Sequence, residues 1–354
     1  MIEMKKASPP KISQQRIAKD LGLSQALVSM VLNGRTTGIS EDSHRRIWEH
    51  ALHLGYQPKG MRPILNNDPA KQIHVGFILR AGLALHTQSN YFSHIQHGLH
   101  ETLQEKGINT VFLGTENKLN ETAFRVTMEA RKTLFGVVIM GEVAPSFLKS
   151  IKDLCPRVVS VSISYPGQCH SVQSNENQSL DLLVGHLADL GHKRFAWFGG
   201  NRALARHEDR FRAFKAALRA RDLEFDDNWA LLTEQADRAE GREAAELFLG
   251  RSGRRPTAAI CYNGLMARGA TNLLLTRGMN IPQELSLAAV DATRICTEEH
   301  PFITGASADP DAMGRKAAEL LLGTSGEADE VYFDAALPSR LTVRETTVAP
   351  APHA

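Results

Sequence analysis

The stretch ISQQRIAKDLGLSQALVSMVLN, Ile12 to Asn33, holds two short helical patterns that meet at one glycine. Ser13 is placed to cap the first, whose inward face is Ile17, Ala18 and Leu21. Ser24 is placed to cap the second, whose inward face is Leu27, Val28, Val31 and Leu32. Between them Gly22 supplies a sharp turn at no steric cost. Two helices joined this way form an ordinary helical hairpin or a helix-turn-helix, whose second helix lies in the DNA major groove.

Charge favours the second reading. Residues 1–62 carry ten Lys or Arg against five Asp or Glu, whereas the remaining chain carries 31 against 34. A basic head on a mildly acidic body suits contact with a phosphate backbone. The chain has 354 residues, 42% of them apolar, enough for two or three folded domains. Cys155, Cys169, Cys261 and Cys296 lack metal-cluster spacing and read as reduced thiols. The start, MIEMKKASPP, has no apolar signal core, and no apolar run is long enough to span a membrane. The expected location is cytoplasmic, associated with the nucleoid.

Ser40-Glu41-Asp42 opens a third helical pattern, with inner face Ile47, Ala51 and Leu54, that ends at Gly55. Residues 59–71, with Gly60, Pro63 and Pro69, have the composition of a linker. From Ile73 the period changes. Strands are expected at 73–79, 108–113, 135–140 and 158–163, alternating with helices at 91–106, 121–133 and 147–154. A second series places strands at 194–198, 258–261 and 285–290, with helices at 177–190, 210–220, 240–249, 265–277 and 312–322. Such alternation argues for parallel sheets covered on both faces. Two such modules leave a crevice at the carboxyl ends of their strands, where α/β proteins bind small molecules.

Four segments together resemble one family, the LacI/GalR transcription regulators, along essentially the whole chain. The head IAKDLGLSQALVSMVLNG is similar to that family's opening helix-turn-helix, and Leu54-Gly55-Tyr56-Gln57-Pro58 to the end of its third helix. LGHKRF, 190–195, followed by Phe198-Gly199-Gly200, resembles the start of its second module. LTVRET, 341–346, resembles its closing strand. The resemblance implies an all-α helix-turn-helix head, residues 1–58, and a hinge at 59–71. It implies an effector-binding and dimerisation body at 72–350. That body is α/β, two doubly wound parallel-sheet modules like those of periplasmic binding proteins. The first module is expected at about 72–165 and the second at about 166–305, with the chain crossing back near the C-terminus.

On the second helix the exposed residues are Gln25, Ala26, Ser29 and Met30. The resemblance assigns base reading to Gln25, Ala26 and Met30, and backbone contact to Ser13, Ser24, Ser29 and Asn33. Gln25 suits an adenine edge, whereas Ala26 and Met30 offer only apolar contact. Met30 has a second reading, as a residue packed on the head's own core. Leu65 matches a leucine that wedges into the minor groove from a hinge helix, flanked by Met61 and Arg62. Gly60 weakens such a helix, and Pro63 is tolerated only in its first turn.

For the effector, the resemblance points to Arg210 in RFRAF, whose guanidinium suits hydroxyl or carboxylate recognition. Asp291 and Asn263 follow strands, Arg80 ends the first strand, and Tyr91 and Phe92 match an aromatic pair facing the cleft. Ser162 stands where relatives often have Asp, and Gly264 replaces the acid of an Asn-Asp pair. Arg202, Arg206 and Arg212 read as solvated neighbours of Arg210. The expected effector is a sugar or sugar derivative; a nucleobase, or a body that has lost its ligand, are alternatives. The expected partners are a pseudo-palindromic double-stranded operator and a second copy of the chain, which fits a repressor. No catalytic residue, cofactor or metal is expected, because GxGxxG, GxxxxGK[ST], GxSxG and HExxH are all missing. A solute-binding protein or an α/β enzyme is the less favoured class.

Overall fold

A computed structural model describes residues 13–32, 39–40, 42–43, 46–47, 50–51, 73–81, 90–119, 134–291, 293–327 and 331–351. The chain divides into two compact units, Met1–Lys71 and Gln72–Ala354. The expected helix at 121–133, the whole linker at 59–71, and Asn33, Met61 and Leu65 lie outside the described residues.

In the first unit, α1 (Gln14–Leu21) and α2 (Gln25–Leu32) flank Gly22, whose φ of 65° is the left-handed turn that glycine adopts without strain. Ser13 Oγ accepts from Arg16 N at 3.2 Å and Ser24 Oγ from Leu27 N at 3.2 Å, so both serines cap. Ile17, Ala18, Val28, Val31 and Leu32 bury one core with Ile47 and Ala51, while Leu21 and Leu27 pack at its edge. The described parts of 42–51 are helical, and Ser40 Oγ accepts from Ser43 N.

The second unit contains two six-stranded sheets. In chain order its elements begin with β1 (His74–Leu79), α3 (Asn90–Gln104), β2 (Asn109–Thr115), β3 (Leu134–Met140), α4 (Pro145–Leu154), β4 (Val158–Val161) and β5 (His170–Ser174). Then come α5 (Glu176–Asp189), β6 (Phe195–Gly199), α6 (Ala205–Arg219), β7 (Ala230–Leu232), α7 (Arg238–Gly250), β8 (Ala258–Cys261) and α8 (Gly264–Thr276). The last are β9 (Ser286–Ala289), β10 (Thr304–Ser307), α9 (Pro310–Gly323), β11 (Asp334–Leu337) and β12 (Arg340–Thr342).

The first sheet has the order β11-β5-β4-β3-β1-β2 and is parallel throughout. The second has the order β12-β10-β9-β8-β6-β7 and is parallel except for β12, which runs antiparallel to β10 at the edge. Continuous apolar runs such as GVVIM in β3 and FAWF in β6 are buried, as strands covered on both faces require. Phe198, Phe214 and Trp197 centre the core of the second module, and Ile95, Leu99 and Met313 join α3 and α9 over the first sheet. Among the described residues no helix is long and apolar enough to cross a membrane.

The module boundary differs from the expectation of about 165. Strand β5 joins the first sheet, so the first crossing follows Ser174. Its sequence HSVQS is polar and short, which hid it. The chain crosses back after β10 so that α9 and β11 complete the first module, then returns as β12. Thus three chain passages join the modules. Ser339, on the third passage, bonds the first: its Oγ lies 2.7 Å from Ser179 Oγ and 3.1 Å from Asn175 O, and its N–H donates to Gln178 Oε1. Ser174 Oγ accepts from Ala308 N at 3.2 Å, and Asn175 N donates to Leu337 O at 3.0 Å.

Two histidines fasten the closing segment. His192 bonds Thr257 Oγ1 at 2.8 Å and the Val348 carbonyl at 2.9 Å, and His186 bonds Thr347 Oγ1 at 2.9 Å. Burial pushes both imidazoles below their ordinary value of 6.5. The folded chain therefore holds them neutral, while the unfolded chain protonates them near that value. The stability they lend is present above about pH 6.5 and is lost as pH falls through it. The midpoint of thermal unfolding should drop between about pH 7 and 5.5, and less steeply in His192→Gln; calorimetry at the two pH values measures both.

Candidate functional site

A cavity of about 460 Å³ opens at the carboxyl ends of both sheets. The first module supplies Arg80 after β1, Tyr91 and Phe92 from the first turn of α3, Gly141 and Glu142 after β3, and Ser162 after β4. The second supplies Arg206 and Arg210 from α6, Asp237 and Glu240 from α7, Tyr262 and Asn263 after β8, and Val290 and Asp291 after β9. All seven effector residues expected from the sequence line this one cavity.

The densest network lies on the inner wall. Arg206 and Arg210 are four residues apart on α6, hence on one face, and both meet Glu176 at the start of α5. Arg210 Nε donates to Glu176 Oε2 at 2.8 Å and its Nη2 to Oε1 at 3.2 Å, while Nη1 donates to the Tyr262 carbonyl. Arg206 Nε and Nη2 both reach Glu176 Oε1, at 2.8 and 2.6 Å. Arg206 continues to the first module: Nη2 lies 3.4 Å from Tyr91 Oη, which lies 3.1 Å from Ser162 Oγ. Ser162 has a φ of 70°, an uncommon conformation for a residue with a side chain, of the kind often held at functional sites.

Burial alone would push the Glu176 carboxyl up, but the Arg206 and Arg210 guanidiniums hold it below the ordinary value. Burial likewise opposes charge on Arg206, and Glu176 with Tyr91 and Tyr262 more than offsets it. Arg210, 4% exposed, spends its donors inside the protein. Its part in the cavity is to hold Glu176 and, through it, Arg206. Arg206 belongs to the site and is not a solvated neighbour, whereas Arg202 and Arg212 are exposed and pair with Glu234 and Asp209.

The strand-end residues are similarly engaged. Asn263 Oδ1 caps α8 through Met266 N at 2.8 Å, and its Nδ2 donates to Ala236 O at 2.9 Å. Asp291 accepts from Gly264 N at 3.2 Å and Thr293 N at 2.6 Å. This accounts for Gly264 beside Asn263: a β-carbon there would fall 2.5 Å from Ile295 Cγ2 and 3.0 Å from Asp291 Oδ2. An acid at 264 would also face the Asp291 carboxylate. The sequence reading overlooked Glu142, Glu176, Arg206 and Tyr262. Only the Arg206/Arg210 spacing carried a signal for any of them.

On α2, Gln25 and Ala26 are exposed and Met30 is 39% exposed, so Met30 stands on the outer face and not in the head's core. Ser29 is half-buried on the same helix. Ser13 and Ser24 are exposed caps whose hydroxyl protons are not used in capping.

Removing the charge on Glu176 would leave two buried guanidiniums sharing one neutral partner. Glu176→Gln should destabilise the second unit by about 3 kcal/mol, as loss of one member of a buried pair does. Denaturant unfolding measures this, and a change below about 1 kcal/mol would show the network to be energetically idle.

Residues 184–347 match the model of the periplasmic binding protein-like domain family. Among curated relatives, the HTH-type transcriptional repressor PurR of Aliivibrio fischeri (strain ATCC 700601 / ES114) is 23% identical over 310 residues, 86% of this chain and 89% of that one. The protein of the same name from Mannheimia succiniciproducens is 23% identical over 93% of this chain and 97% of its own. Among solved structures, the transcriptional regulator CelR–cellobiose complex superposes with a TM-score of 0.67 at 19% identity, covering 95% of this chain and 100% of that one. A Lac repressor dimer bound to operator and the anti-inducer ONPF does so with a TM-score of 0.65 at 20% identity, over 96% and 100%. The chain thus carries a periplasmic binding protein-like domain, is similar along most of its length to proteins named as HTH-type transcriptional repressors, and shares the fold of LacI-type regulators, the family that its sequence resembles.

Proposed function

We propose that this protein is a homodimeric transcription repressor that binds a pseudo-palindromic operator and responds to a small polar effector in the cleft of its second unit. The observation that carries the reading is the single cavity at the carboxyl ends of both sheets, into which all seven sequence-expected residues fall. Its relatives are named as repressors, and one structural neighbour is a dimer on its operator. The paired half-sites of such operators follow from the two-fold symmetry of helix-turn-helix dimers.

A sugar or sugar derivative is the effector class that fits the lining best. Tyr91 and Phe92 offer aromatic surface for a ring, and hydroxyl, amide and guanidinium groups surround them. One neighbour carries cellobiose by its own name. The same aromatic faces would also accept a nucleobase, which is the second reading. The coupling rests on the two walls. A ligand that touches Tyr91 or Ser162 on one side and Arg206 on the other favours one arrangement of the modules, and that preference is what it can transmit.

Selection from a random duplex pool tests the output. It should return a pseudo-palindrome bound at least about a thousandfold more tightly than bulk DNA, with affinity falling steeply as salt rises. Binding with no sequence preference at physiological salt would end the reading. On the selected site, Gln25→Ala should lose about 1–3 kcal/mol of discrimination at one base pair; unchanged discrimination would remove Gln25 from the reading face.

A further inference from the structure

We infer that the effector of this cleft carries an anionic oxygen group, a carboxylate or phosphate, held between Arg80 of the first module and Arg206 of the second. This rests on the effector reading above and narrows it to an acid form of the ligand.

The inference comes from the hydrogen bonds each charged group already makes. Four carboxylates line the cavity, and each is spent on backbone N–H groups. Glu142 Oε2 accepts from Ala205 N at 2.9 Å, at the start of α6. Asp237 and Glu240 form the capping box of α7, with Glu240 Oε2 accepting from Asp237 N at 3.1 Å. Asp291 accepts from Gly264 and Thr293. These acids close helix ends and turns, and of the four Glu142 also acts on Arg80 through its charge.

The cations divide differently. Arg210 is consumed by Glu176 and Tyr262 O. Arg206 has Nη1 to spare, and Nη2 reaches toward Tyr91 at the cavity wall. The Arg80 guanidinium makes one hydrogen bond among the described residues, from Nη1 to the adjacent Ala81 carbonyl at 3.1 Å, and no ion pair with a described carboxylate. Segment 82–89, GLALHTQS, contains no acid that could supply one.

Arg80 is also a placed residue and not a stray side chain. Its stem crosses Gly141, whose φ is 91° and whose missing β-carbon would fall 2.8 Å from Arg80 Cδ. Burial disfavours its charge, Tyr262 and Glu142 favour it, and the Arg206 guanidinium across the cleft disfavours it more weakly. The two guanidiniums on opposite modules repel each other. An anion between them reverses the sign of that interaction, giving the ligand a grip on both modules at once. Guanidinium presents paired donors that match the two oxygens of a carboxylate or phosphate.

The test uses the full-length protein and four probes: glucose, gluconate, glucose 6-phosphate and adenine. Thermal midpoints and titration calorimetry report binding, and the selected operator reports response. The expected result is binding of gluconate or glucose 6-phosphate at least about tenfold tighter than glucose, weakening as salt rises. The two anions decide between carboxylate and phosphate. Arg80→Gln should lose that preference, and Arg80→Lys should keep part of it. The salt series on the unaltered protein stands even where a variant fails to fold. Glucose or adenine binding as tightly as both anions overturns the inference but leaves the effector reading intact. So does an anion whose affinity is unchanged in Arg80→Gln. Failure of all four probes to bind or to alter operator affinity counts against both.

Discussion

Three passages of chain join the two sheets, and short polar side chains tie them together: the buried Ser339 of the third bonds the first, and Ser174 of the first bonds Ala308 of the second. The Ser339 hydroxyl touches Ser179 Oγ and the Asn175 carbonyl, and its amide reaches Gln178. Buried polar groups without partners are costly, so this cluster holds the crossings in one register. Glu176 then follows at once. Asn175 caps α5 through Gln178 N at 3.0 Å, and Glu176 is the first residue of that helix. The carboxylate that organises the cavity is thus placed by the same few residues that join the modules.

From Glu176 the order continues outward. It gathers Arg206 and Arg210 on one face of α6, and Arg206 extends the network to Tyr91 and Ser162 in the other module. A second link crosses in parallel, from Glu142 to the first turn of α6. Both links end on α6, so a shift of that helix disturbs both together. The ligand proposed between Arg80 and Arg206 would act on the element where the modules are already tied.

Much of this was legible in the sequence, and the failures have physical causes. Long apolar strands and amphipathic helices announced themselves by period, as at FGVVIM and along α3. Strands β5, β7, β10 and β11 did not, because they have three to five residues and lie among loops or at sheet edges. The cavity residues at strand ends were found because the family resemblance marks those positions and strand ends are where such sheets bind small molecules. Arg206 was passed over because a helix rich in arginine looks solvated until a buried partner is known. That partner, Glu176, lies 30 residues away across a module crossing, and no local pattern connects the two. Gly264 looked like a lost contact, whereas the structure shows the space taken by Asp291 and Ile295.

The head obeys a tighter economy of groups. Ser13 and Ser24 use hydroxyl lone pairs to close their own helix starts. A hydroxyl keeps one proton after accepting, and that proton remains able to donate. The residues that make two short helices possible are thereby suited to phosphate oxygens, which fix register without reading sequence. The outer face of α2 then offers one amide, Gln25, beside Ala26 and Met30. A face with a single multidentate polar side chain cannot distinguish many base pairs by hydrogen bonding. In the proposed role, the remaining selectivity must come from DNA shape and from the spacing of two heads on one duplex, neither of which needs a polar side chain.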